Sequence, residues 1–310
     1  MSTMNAVSVR SDLLVEIVPR LIYHTLQINT SPKYVQTTSI DGLPPDLVLK
    51  SCDSILFYVH TPLLNSISTN DFQGYAIVRN GAIVNLTEDA QMLTIILDII
   101  YCKPTVAVEF APPFSFDVLA AAVNRLSVYG VNIQCQQKIQ KPDEHANAFM
   151  QPIARALQAH ASAHALALYV LAARYSMEDL AVAASTYLTG FQLTDLTDEQ
   201  AEAMGPHYLR RLMLMQTQRE EALKRILLQP PYPHPSTPDC GVLDHKALTR
   251  VWTLTAASFA WDIRADLPST ALERLLGQLA GHVSCELCKR SIREQVARIV
   301  SEWEGVKATI

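Results

Sequence analysis

Three groupings of side chains in this 310-residue chain have types and spacing that could do chemistry. Cys285 and Cys288 have the spacing of half a thiolate zinc site, and Cys240 with His245 or His282 could complete a four-ligand set. No second Cys-x-x-Cys accompanies them. Continuing the helical spacing puts both cysteines on the face of Ile292, Val296, Ile299 and Trp303, so packing accounts for them without metal. The other reading is a closed zinc site on Cys240, Cys285 and Cys288 that staples the C-terminal helices and contributes to folding, not catalysis. His160 and His164, four apart, would share one face of a helix at a metal-compatible spacing. They fall inside an apolar stripe, and Ala161-Ser162-Ala163 stands where a zinc peptidase carries its glutamate, so we read them as core-edge histidines. His60 follows a strand residue and precedes a helix start, which suits a hydrogen-bonded structural role.

Other catalytic signatures are missing. There is no glycine-rich phosphate loop, no serine elbow and no His-Glu-x-x-His, and ten glycines are few for this length. The expectation is a protein that is not an enzyme and needs no cofactor. A zinc-dependent enzyme on His160, His164 and the cysteines is the contrary reading, which metal analysis separates.

Composition narrows the partners. Hydrophobic residues make up 49% and charged residues 18%, as in a folded chain with a sizeable core. A net charge of −5 without a lysine or arginine cluster offers nucleic acid no footprint, so direct binding to it is not expected. The first ten residues lack the pattern of a secretory signal. The uncharged run from Ala156 to Ala173 is too polar for a membrane span and reads as a buried helix. Six sparse cysteines read as reduced thiols of a cytoplasmic or nuclear protein, and the sequons at Asn29 and Asn85 as coincidental.

The elements that must position these residues begin at Gly42-Leu43-Pro44-Pro45; residues 1–40 form an arm that carries no clear pattern. Leu47 and Leu49 alternate with Val48, and Phe57 and Val59 with Tyr58, which is a strand signal. Asn80-Gly81 ahead of Ile83-Val84 signals a hairpin turn. Thr87 reads as the N-cap of a helix over Met92–Tyr101, and Ser115 as the cap of another that Gly130 ends. From Lys141 the chain becomes alanine-rich, and Ile153, Leu157, His160, His164, Leu168, Leu171 and Tyr175 keep one helical stripe. Thr197 and Gln200 form a capping box, and Gly205-Pro206 opens a helix to about Leu228. Gln229–Asp239 holds five prolines and reads as a stiff connector. Three helices follow it.

These motifs resemble a BTB/POZ domain. The resemblance lies in their order: a strand, the Asp53 turn, Phe57-Tyr58-Val59-His60, Leu63-Leu64, Ser68 and Phe72, then Leu86-Thr87-Glu88-Asp89 and a helix ending at Tyr101. Further on, Ala172–Leu180, Tyr208-Leu209, Trp252 and the Cys-x-x-Cys are similar to the helical extension of a basidiomycete-type fungal BTB group. The resemblance implies an α+β fold, a small sheet flanked by helices and followed by an all-α extension. It divides the chain into an arm (1–40), a core (41–140), a helical extension (141–228), a proline-rich linker (229–239) and a C-terminal helical segment (240–310). Asp46, Asp53, Phe57, His60, Leu64 and Tyr101 are the signature residues it marks. It further implies a protein-interaction module that assembles with itself and with other BTB proteins, and an adaptor that docks on a cullin scaffold of a ubiquitin ligase. A transcription-related adaptor is the alternative. Thr61 weakens it, because that branch of the family has a dimer-interface pocket with an aspartate, matched here by Asp46, and a basic residue just after the histidine, where this chain has Thr61.

Overall fold

A computed structural model of the chain describes residues 29–40, 42–77, 83–101, 114–131, 133 and 151–310. The expected strand pair is present. Strand β2 (Leu47–Lys50) runs antiparallel to β3 (Ile55–Val59), with Leu47 opposite Val59 and Leu49 opposite Phe57. All four side chains are buried, so the alternation in the sequence is the alternation of the sheet's two faces. The Asp53-Ser54 turn between the strands puts Ser54 at φ 66°, a left-handed conformation that glycine adopts freely. Ser51 compensates: its Oγ accepts from Ile55 N–H at 3.0 Å, and its carbonyl accepts from Ser54 N–H at 3.0 Å.

Two further strands complete the order β1-β3-β2-β4. Strand β4 (Ile83–Asn85) lies parallel to β2, and the hairpin turn expected ahead of it rests on Asn80 and Gly81. Those two residues lie outside the described ones. Strand β1 (Asn29–Thr30) lies parallel to β3 at the other edge. The arm that carried no pattern thus supplies an edge strand and the buried Tyr34, whose hydroxyl donates to Asp98 at 2.6 Å.

Helix α1 (Thr61–Ile67) follows β3 directly, with Pro62 in its first turn where a missing N–H costs nothing. Helix α2 (Ala90–Ile100) is capped by Asp89, not Thr87: the Asp89 carboxylate accepts from Met92 N–H at 2.7 Å. Thr87 instead joins a buried network around Glu88, whose carboxylate accepts from the Thr87 hydroxyl, Arg125 Nε and the Tyr129 hydroxyl. Arg125 lies on α3 (Phe116–Val128), and Tyr129 follows directly. Burial alone would raise Glu88, but the Tyr129 and Arg125 bonds outweigh it and hold the carboxyl below its ordinary value. Gly130, at φ 70°, closes this region so tightly that a Cβ would lie 2.4 Å from Asn70 Oδ1.

The alanine-rich stretch breaks where the stripe seemed continuous. Helix α4 (Gln151–Gln158) stops before His160, a short turn follows, and α5 (Ala165–Arg174) starts after His164. The two histidines therefore do not share a helix face. His160 Nε2 contacts Phe114 O at 3.0 Å, while His164 stacks on Phe116 with ring centroids 4.6 Å apart.

After α6 (Glu178–Ser185), the capping box of Thr197 and Gln200 opens α7 (Asp198–Leu227). Gly205 (φ 69°) kinks α7 just before Pro206. Three helices complete the chain: α8 (Val242–Trp261), α9 (Ser269–Gly277) and α10 (Glu286–Glu304). Buried apolar side chains form two clusters, one from Tyr34 through Met215 together with Ile310, the other from Leu223 to Trp303. Helix α7 contributes to both. At the crossing between them the buried Arg219 donates to Ala265 O at 2.9 Å, Val306 O at 2.7 Å and Lys307 O at 3.1 Å, and stands over the Trp303 ring at 4.4 Å.

Candidate functional site

The densest gathering of reactive side chains among the described residues lies where the proline-rich stretch meets α10. Cys285 is the N-cap of α10 and Cys288 is in its first turn, so the helix start aims both sulfurs at one point. Cys240 closes a short bridge with Thr237 just before α8 and reaches Cys288 with a sulfur separation of 3.6 Å. The fourth member is His234, which the sequence did not single out. Its Nε2 lies 3.4 Å from Cys285 Sγ and 3.3 Å from Cys288 Sγ. All four potential ligand atoms lie within 4.8 Å of one another.

The second ring nitrogen defines the tautomer. His234 Nδ1 lies 2.7 Å from Pro235 O, a carbonyl that can only accept, so Nδ1 donates and Nε2 presents its lone pair to the sulfurs. His245 Nε2 lies 3.2 Å from that same lone pair, outside the four-membered group. His282 takes no part in it. The proline stretch does not hang free as a spacer: Gln295 Nε2 donates to Gln229 O at 2.8 Å, Ser291 donates to Tyr232 O, and Arg298 stands over the Tyr232 ring. Three contacts along α10 thus hold His234 in register with the cysteines.

The three thiols differ in character. The backbone N–H of Cys288, with lesser help from that of Leu287, brings Cys285 down to about 7 against its burial. Burial first, then its bonds to Cys288 and Cys285, push Cys240 up to about 12. Cys288 is raised as well, mainly by burial. Such a set of soft donors suits a thiophilic cation.

The signature residues of the N-terminal half fall in two places: Asp46, His60 and Tyr101 gather where the start of α1 meets the end of α2, and Asp53 lies at the start of α2. Asp46 Oδ1 accepts from Thr61 N–H at 2.7 Å, and Asp53 Oδ1 from Ala90 N–H at 3.0 Å, so each carboxylate serves a helix start. His60 Nε2 donates to Leu43 O at 3.2 Å, leaving Nδ1 to accept from the Tyr101 hydroxyl at 3.1 Å. The same hydroxyl accepts from His60 N–H at 2.8 Å. Burial, then the Asp46 charge, holds the Tyr101 proton on well above the ordinary tyrosine value, against the opposing His60 N–H bond. Phe57 and Leu64 are fully buried beneath this network. All six are engaged within the fold, and the Asp46 carboxylate is already committed to Thr61.

Helix α8 carries a different surface. Leu248, Trp252 and Ala256 face the second cluster, while Leu243, Leu254 and Trp261 project outward. Helical periodicity puts those three on a single line, and Trp261 is 90% exposed. No helix among the described residues is long and apolar enough to cross a membrane. Comparison of the chain with protein-family models, curated proteins and solved structures found no match.

Proposed function

We propose that this protein is a non-enzymatic assembly module whose N-terminal half is a BTB/POZ-type core that associates with a second copy of itself and with related domains. The observation that carries this reading is the element succession β2, turn, β3, α1, β4, α2, in which His60, Tyr101, Asp46 and Asp53 tie the helix starts to the sheet. Side chains spent on internal hydrogen bonds suit a rigid docking scaffold better than a reaction centre, because catalytic groups need to face a substrate. The outward line of Leu243, Leu254 and Trp261 supports the same reading, since exposed apolar patches mark surfaces that bind other proteins. Within it the chain acts as an adaptor, the core docking on a cullin scaffold and the helical extension presenting a client.

Light scattering on the full chain tests the assembly step, with a dimer or larger species expected at micromolar concentration. A monomer throughout the micromolar range overturns self-association. Titration with a purified cullin N-terminal domain tests the adaptor step, and an unchanged elution profile at tens of micromolar removes it.

A further inference from the structure

We propose that His234, Cys240, Cys285 and Cys288 form a closed, four-coordinate zinc site that fastens the proline-rich stretch and the start of α8 to the N-terminus of α10. The inference stands independently of the assembly reading. It starts from a conflict among hydrogen bonds. His234 Nε2 has one lone pair, because Nδ1 is committed to donating to Pro235 O. Three potential donors crowd that lone pair at 3.2–3.4 Å, namely His245 Nε2, Cys285 Sγ and Cys288 Sγ. A single proton satisfies one of these contacts and leaves two polar groups facing each other to no purpose. A cation at their centre accepts electron density from the nitrogen and the sulfurs together.

The distances suit that cation. Zinc lies about 2.3 Å from thiolate sulfur and about 2.0 Å from imidazole nitrogen, so a tetrahedron has sulfur–sulfur edges of about 3.8 Å and sulfur–nitrogen edges of about 3.5 Å. The structure has Cys240 and Cys288 at 3.6 Å and the two sulfur–nitrogen edges at 3.4 and 3.3 Å. The remaining edges lie within 4.8 Å and need to close by at most about 1.0 Å (sulfur–sulfur) or about 1.3 Å (sulfur–nitrogen) to become regular. The Nδ1–H bond to a backbone carbonyl is the outer-shell contact that orients a ligating imidazole. The backbone N–H groups of Cys288 and Leu287 approach Cys285 in the same sense, offsetting thiolate charge.

Three thiolates and an imidazole select zinc over calcium or magnesium, whose ligands are oxygens. They fill all four positions and leave no place for a reacting water, so the site is structural. Binding replaces a proton on each cysteine still in its thiol form, and the bound site carries a net charge of minus one.

The test uses the full chain, purified under reducing conditions. Bound zinc is measured by plasma mass spectrometry, and metal-free chain is titrated with cobalt(II) chloride. About one zinc per chain is expected, with the visible bands of tetrahedral thiolate cobalt saturating at about one equivalent. His234→Ala and Cys288→Ser should each lower zinc content to below about a tenth of the wild-type value, while Cys52→Ser and His245→Ala leave it unchanged. The wild-type titration involves no substitution, so misfolding of a variant cannot blunt it. The proposal is overturned by a wild-type chain that takes up neither metal, or by His234→Ala retaining zinc while His245→Ala loses it.

Discussion

Replacing Arg219 should separate the two halves of the molecule. Its guanidinium is buried at the crossing of the two apolar clusters, where it serves three carbonyls and stacks on Trp303. Burial lowers its pKa and nearby Asp266 opposes this, which marks a charge held at some desolvation cost. A hydrogen bond from a charged donor contributes about 1.5–3 kcal/mol net, so three give roughly 5–9, and the ring contact adds about 1. Relief of desolvation in the truncated chain offsets several kcal/mol of this. Arg219→Ala should therefore cost about 3–5 kcal/mol, and Arg219→Lys about half as much, since lysine keeps the charge but loses the planar fork. All three tryptophans, Trp252, Trp261 and Trp303, lie in the C-terminal part, so their fluorescence reports on that cluster while circular dichroism reports on the whole chain. In urea the fluorescence midpoint should fall by about 1–1.7 M at a slope of about 3 kcal/mol/M and move ahead of the dichroism transition. A loss below about 1 kcal/mol, or two transitions that stay coincident, would refute the idea that Arg219 couples the clusters.

Two further substitutions probe the N-terminal cluster. Glu88 has its folded pKa below the ordinary 4.5, so its contribution is present above that value and is lost as pH falls through the lower folded pKa. Glu88→Gln should cost about 2–3 kcal/mol at pH 7, with the difference from wild type shrinking in acid; chemical denaturation at pH 7 and pH 3 checks this, and an equal gap at both would contradict it. Gly130→Ala forces a Cβ against Asn70 at a left-handed φ and should cost at least about 2 kcal/mol. A Gly130→Ala melting curve matching wild type would show that Asn70 gives way freely.

The parts of the fold that the sequence displayed are those decided over a few residues. Leu47, Leu49, Phe57 and Val59 alternate because one sheet face is buried, and Thr197 with Gln200 completes its capping bonds within a single turn. Contacts made between distant segments were not legible. Strand β1 is two residues long and depends on β3 for its definition, so no local period announces it. The stripe through His160 and His164 kept its phase across a break, because the intervening turn rejoins the helical spacing after Gln158. In the His/Cys cluster Cys285 and Cys288 were visible from their spacing, whereas His234 lay hidden among prolines that signalled a spacer. The available clue was its place six residues before Cys240, with a proline-containing turn between.

Helix α7 has a mechanical consequence. Its straight portion from Pro206 to Leu227 extends about 33 Å at the rise of an α-helix. The Gly205 kink sets this portion off from the capped first turns, while Met215 and Leu223, about two turns apart, embed it in separate clusters. Helix α7 packs against α5 as well as against α8 and α10, so one continuous element is built into both clusters.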